Sequence, residues 1–161
     1  MGRPPGPAAR KAAAVSPPTP AAGSPERPRV PPNCDLTLGL RCVDKSEPGR
    51  TVWTMTVDER FANPVGQVQG GLLGALADSA MAASTITWAR GQGLRVTAAN
   101  TDLAVRFLRP AAARAGTALT CNARVRSGGR RVAFAEADIV DERGTLVATA
   151  TSTYLLTLRA G

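Results

Sequence analysis

Between Asn63 and Asp78 the chain reads NPVGQVQGGLLGALAD, and no other segment constrains the fold as strongly. The pair Gly70-Gly71 opens an apolar run that continues to about Arg90, in which Leu72, Leu73, Leu76, Ala80 and Met81 recur at helical spacing. Small residues fill the same run (Gly74, Ala75, Ala77, Ser79, Ala82, Ala83), so the predicted helix can approach a neighbouring sheet closely. Asp78 stands inside it with apolar or small neighbours and no basic residue within four positions. An unpaired buried charge is costly, so a carboxylate expected to be buried here calls for a reason.

On both sides of this helix the pattern is that of strands. Residues 36–44 and 51–58 read as short strands around the turn signal Ser46-Glu47-Pro48-Gly49. After the helix, Leu103, Val105 and Phe107 alternate with polar or small partners and stop at Arg109-Pro110. Thr117 to Val125, Val132 to Val140 and Leu146 to Leu156 follow, separated by Ser127-Gly128-Gly129 and by Asp141-Glu142-Arg143-Gly144. The expected architecture is α+β: two strands, one long central helix, then a four-stranded antiparallel meander wrapped around that helix.

Residues 1–33 differ in kind, with 10 of the 13 prolines mixed with Ala, Gly and Ser. Such a segment has little to bury, and we read it as a disordered Pro/Ala-rich arm ahead of one domain over residues 34–161. Its basic, acid-poor character resembles a transit peptide, but the prolines oppose the amphipathic helix such peptides form. The arm supplies +4 of the net +8 charge, and the six aromatics are not interleaved with basic positions as a nucleic-acid platform requires. The expectation is no nucleic acid and no membrane, since Asp78 interrupts the longest apolar stretch. Three cysteines (Cys34, Cys42, Cys121) without metal-ligand spacing suit a reducing compartment, and a cytoplasmic location and no metal are expected.

The chain contains no histidine. Ser-His-Asp hydrolysis and histidine-ligated zinc are therefore excluded. What remains is a glycine pair and a carboxylate. The first amides of a helix lack internal partners and carry the positive end of its dipole, so Gly70 and Gly71 can hold an oxygen bearing partial negative charge. Eight helical residues separate Gly70 from Asp78, about 12 Å. Asp78 cannot reach that oxygen in its own chain. Cooperation between the two requires a second copy whose helix runs alongside antiparallel, hence a two-fold dimer with two shared sites.

The order Asn63-x-x-Gly66-x-x-Gln69-Gly70-Gly71, then Asp78, then Thr101 to Pro110 and Val125 to Ala150, resembles the hotdog-fold acyl-CoA thioesterases, most closely the PaaI-like branch. The resemblance covers about residues 33–157. It implies a hotdog fold and hydrolysis of an acyl-CoA thioester, with coenzyme A as part of the substrate and no separate cofactor. It implies a homodimer, or a homotetramer built from two such dimers. In the family pattern Gly70 would donate its amide to the thioester oxygen, and Asp78 of the partner copy would act as base on water or as nucleophile. Asn63 would position water or the helix-start loop, and Asn100, beside Thr101, would orient water. Arg126, Arg130 and Arg131, with Arg106 or Arg109, would face the coenzyme A phosphates, although each could equally be solvated surface. Burial among apolar neighbours would give Asp78 the raised pKa that suits a base.

One departure stands out. Gln69 occupies the position where the family usually has histidine. An amide can donate and accept, so an orienting role survives, while a titrating role does not. Hotdog dehydratases, which rely on a catalytic histidine, are disfavoured for the same reason. The alternatives are a non-catalytic acyl-CoA-binding hotdog protein, acting as sensor or carrier, and a purely structural dimer. Leu72, Leu73, Leu76, Met81 and Trp88 could line an acyl tunnel or serve as core.

Overall fold

The computed structural model describes residues 34–159, so the arm expected over residues 1–33 lies outside the described part. The elements run α1 (Cys34–Thr37), β1 (Leu40–Asp44), β2 (Arg50–Val57), a short 3₁₀ turn (Glu59–Phe61), α2 (Gly70–Gly91), β3 (Val96–Asn100), β4 (Ala104–Phe107), β5 (Thr117–Gly128), β6 (Val132–Val140) and β7 (Leu146–Leu158). The long helix falls where its periodicity places it. Residues 36–44 are not one strand: they open with helical turn α1, and β1 starts only after Gly39, which bends the chain at φ 68°. Asp35 explains the turn's position, because its carboxylate accepts a 2.7 Å hydrogen bond from the Ser79 hydroxyl on α2.

The sheet has seven strands in the order β1-β2-β5-β6-β7-β3, with β4 also paired to β7. This corrects the four-stranded meander. The strand around Leu103 to Phe107 does not lie beside Thr117 to Val125 but on the far side, where Val105 faces Ala150 and Phe107 faces Ala148. The near edge of β5 is taken by β2, with Met55 opposite Leu119. A separate strand, β3, also joins β7, its Val96 opposite Leu158 and Asn100 opposite Tyr154. The meander holds for β5, β6 and β7 alone.

The sheet curls around α2, and the core lies between them. Leu73, Leu76, Ala77, Ala80 and Met81 of the helix are buried against Met55, Val57, Leu119, Ile139 and Val147 of the sheet. Each large side chain of this kind contributes about 1.5–3 kcal/mol through burial. Of the residues considered for an acyl tunnel, Leu73, Leu76 and Met81 are core, while Leu72 and Trp88 pack half-buried against it. Trp88 lies over Gly128, where a Cβ would come within 2.6 Å of its ring.

The small residues of α2 have a definite partner in β4. A Cβ on Gly70 would sit 2.9 Å from the Phe107 ring, and one on Gly74 would touch Val105 at 3.8 Å. Four helical residues rise about 6 Å and two strand residues about 7 Å, so the two rows stay in step. The chain from the end of β3 through β4 runs antiparallel to the helix, with Asn100 at Asp78 and Phe107 at Gly70. The chain between these ends spans both halves of the expected site.

Candidate active site

The helix start is built by a loop folded around Asn63. Its Oδ1 accepts from the amides of Val65 (3.0 Å) and Gln67 (3.1 Å), and its own amide donates to the Gln67 carbonyl at 2.6 Å. Gly66 makes the reversal possible at φ 79°. The Val68 amide then donates to Ala111 at 2.8 Å and the Gln69 amide to Phe61 at 2.9 Å, which fixes the entry to α2. The Asn63 side chain thus organises the loop.

Gln69 is the N-cap of α2. Its Oε1 accepts a 3.1 Å hydrogen bond from the Gly70 amide, the very group expected to hold the thioester oxygen. The Gly71 amide has no acceptor among the described residues, and Gly71 is exposed with open space where a Cβ would stand. A pocket of about 490 Å³ opens here, lined by Asn63, Gln69, Gly70, Leu73, Phe107 and Arg109, among others. Asp78 is not part of it.

Asp78 lies more than two turns further along α2 and is half-buried, not buried as its apolar sequence neighbours suggest. The helix turns the carboxylate towards the β3–β7 edge instead of the core. The nearby hydroxyls of Ser79 and Ser84 on the same helix are engaged elsewhere, with Asp35 and with the Met81 carbonyl. Asn100 Nδ2 donates to Asp78 Oδ1 at 3.0 Å, so Asn100 does meet the carboxylate. The Tyr154 hydroxyl lies 3.4 Å from that same Oδ1 and 3.4 Å from the Asp78 carbonyl. Sequence reasoning missed Tyr154, which reads simply as an inward position of an alternating strand.

The remaining expected residues are dispersed. The Thr101 hydroxyl lies 3.3 Å from both Asp102 Oδ2 and the Thr153 carbonyl, and the Thr101 amide donates to the same carbonyl at 2.8 Å. Arg109 donates to the Leu146 carbonyl at 3.1 Å beside the Gly70 pocket. Arg126 pairs with Glu136 at 3.4 Å, and Arg124 pairs with the same carboxylate. Arg130 and Arg131 are exposed at the β5–β6 turn, and Arg106 is exposed on β4. The five expected arginines thus stand at different places: Arg109 beside the Gly70 pocket, Arg126 against Glu136, Arg130 and Arg131 at the β5–β6 turn, and Arg106 on β4. No group of three or more potential metal ligands occurs among the described residues, and no described helix is long and apolar enough to cross a membrane.

The family model for the acyl-CoA thioesterase C-terminal domain matches residues 10–156, reaching into the proline-rich segment. Acyl-coenzyme A thioesterase PaaI of Escherichia coli (strain K12) is 34% identical over 115 residues, 71% of this chain and 76% of that protein. Human acyl-coenzyme A thioesterase 13 is 27% identical over 118 residues, 72% of this chain and 79% of that protein. The solved structure of the E. coli PaaI protein superposes with a TM-score of 0.67 at 29% identity, covering 80% of this chain and 84% of that one. The curled antiparallel sheet around α2 is thus the hotdog fold, and this chain belongs to the PaaI-like acyl-CoA thioesterases.

Proposed function

We propose that this protein hydrolyses an acyl-CoA thioester at two equivalent sites, each shared between two copies of the chain. The observation that carries the reading is the placement of Gly70 and Asp78 on one helix about 12 Å apart. Neither completes a site alone. Between them runs the open edge of the sheet: from Ala99 to Pro110 only Val105 is not exposed, and Leu103, Phe107 and Leu108 are 39%, 59% and 49% exposed. A second copy seated along β3 and β4 would cover this apolar edge and bring its own α2 alongside, so that its Asp78 faces the first copy's Gly70.

The chemistry follows from these groups. The thioester oxygen displaces Gln69 Oε1 from the Gly70 amide, and the free Gly71 amide stands next to it. As water adds to the carbonyl carbon, negative charge develops on that oxygen and the amides stabilise it. Asp78 of the partner copy takes the proton from water through Oδ2, because Oδ1 is held by Asn100. The tetrahedral intermediate then collapses, the C–S bond breaks and the proton held by Asp78 passes to the departing sulfur, releasing the carboxylic acid and the thiol of coenzyme A. Exposed arginines of the β5–β6 turn and of β4 offer forks for the nucleotide phosphates.

Thiol release over a panel of acyl-CoA esters tests the proposal. Wild type turns over at least one ester, and Asp78→Asn lowers its kcat at least tenfold with the fold intact. The competing reading, an acyl-CoA sensor or carrier, draws support from the capped Gly70 amide. It prevails if no ester is turned over while coenzyme A esters raise the melting temperature.

A further inference from the structure

The structure assigns Tyr154 as a positioning residue that, with its cross-strand partner Asn100, holds one oxygen of Asp78 and leaves the other for the attacking water. This inference rests on the reading above, that Asp78 activates water. Asn100 and Tyr154 are opposite each other in the β3–β7 ladder, so one register places both donors under the same carboxylate. Asn100 Nδ2 reaches Oδ1 at 3.0 Å from the exposed rim, and the Tyr154 hydroxyl approaches it at 3.4 Å from the buried side. No hydrogen bond to Oδ2 is formed among the described residues.

Tyr154 is 1% exposed, the largest fully buried side chain in the described part, yet it carries a polar tip. Packing alone would be served by phenylalanine. A buried hydroxyl is costly unless partnered, and both acceptors that the Tyr154 hydroxyl meets at 3.4 Å belong to Asp78. Burial, with the negative charges of Asp78 and Asp102 adding to it and a Ser152 contact opposing, keeps the phenol above its ordinary pKa and therefore a donor at working pH.

Within one chain the charged groups near Asp78 are few, and in the shared site the second copy's Arg109, which lines the Gly70 pocket, would join them. Apart from Asp78, α2 carries only Arg90, about three turns away. Strands β3 and β7 contribute no charged side chain, Asp102 follows β3, and Asp35 of α1 is bonded to Ser79. A donor to a carboxylate favours its charged form, so removing the donor moves the titration of that carboxylate up.

The test uses the fact that Tyr154 is the chain's sole tyrosine. The full-length enzyme is compared as wild type, as Tyr154→Phe and with 3-fluorotyrosine incorporated throughout, which alters this side chain alone. The readout is the acidic limb of kcat/KM against pH, with Asp78→Asn as reference. Tyr154→Phe is expected to lower kcat about three- to tenfold with little change in KM and to move the acidic limb up by about half a pH unit. Fluorination makes the phenol a stronger donor, so it moves the limb down. Opposite shifts cannot come from a packing role. If Asp78→Asn abolishes turnover but neither tyrosine change moves the limb, this assignment is overturned while the shared-site reading stands. If Asp78→Asn is fully active, both fall. Should Tyr154→Phe fail to fold, the fluorotyrosine enzyme decides alone.

Discussion

Asn100 and Asp78 are joined by a 3.0 Å hydrogen bond from the amide of one to Oδ1 of the other, across the gap between the last residue of β3 and the middle of α2. No hydrogen bond to Oδ2 is formed among the described residues. In the proposed mechanism this carboxylate takes a proton from water. In a single turnover in ¹⁸O-labelled water, the label is expected in the released acid and not in the enzyme. Label retained in Asp78 after one turnover would show that the carboxylate itself attacks the thioester.

Gln69 caps the Gly70 amide at 3.1 Å, so in the proposed mechanism substrate and cap compete for one donor. Gln69→Glu keeps the shape and adds a charge. At a helix N-terminus that charge is favourable by about 0.3–1 kcal/mol, but it grips the amide and repels a developing oxyanion. Activity and stability should move in opposite directions, with kcat/KM falling at least tenfold while the melting temperature holds or rises. Steady-state kinetics beside thermal denaturation checks this.

The two glycines at the helix start do different jobs. Gly71 has open space around it, so Gly71→Ala should stabilise by about 0.5–1 kcal/mol through helix propensity. Gly70→Ala would press on the Phe107 ring at 2.9 Å and lose that gain. In a Phe107→Ala background, Gly70→Ala should stabilise as much as Gly71→Ala does. A double-mutant cycle in urea isolates the contact.

How much of this was legible in sequence can be judged from the same residues. The helix was, because its apolar period and small-residue content are local. The loop around Asn63 and the impossibility of Gly70 meeting Asp78 in one chain were legible too, since both follow from short-range geometry. The placement of β4 was not, because strand pairing across a helix is non-local and an alternating run carries no address. β3 was missed because Val96-Thr97-Ala98-Ala99-Asn100 has one buried residue and small partners, a weak period. Asp78 was expected to be buried because its neighbours in sequence are apolar; its neighbours in space are Asn100 and Tyr154. Nor did Gly70 announce that Phe107 packs on it.

Alkaline stability offers a check on the core. Burial, with the Asp138 charge adding to it, pushes the Cys121 thiol from 9.0 up to about 12. An unfolded chain releases that proton near pH 9 and the folded one does not, so this contribution is fully present below pH 9 and is lost as pH rises towards about 12. The loss is about 1.4 kcal/mol per pH unit at most. Tyr154, also held above its ordinary value by burial, adds a loss of the same sign from higher pH. Cys121→Ala should make the decline of unfolding free energy between pH 9 and 11 shallower by one proton, as urea titrations at each pH would show.

The central claim, that each site is made by two copies, is tested most directly by mixing inactive subunits. One carries Asp78→Asn. The other carries Gly70→Pro, which deletes the amide hydrogen at the first helical position, where proline is tolerated. Both carry Phe107→Ala to make room, and the Phe107→Ala enzyme is the reference. After unfolding and refolding together at equal amounts, half the dimers are mixed and each holds one intact site. Recovery of about a quarter of the reference activity is the predicted result. Mixtures no more active than their separate components, with mixed dimers demonstrably formed, would contradict it.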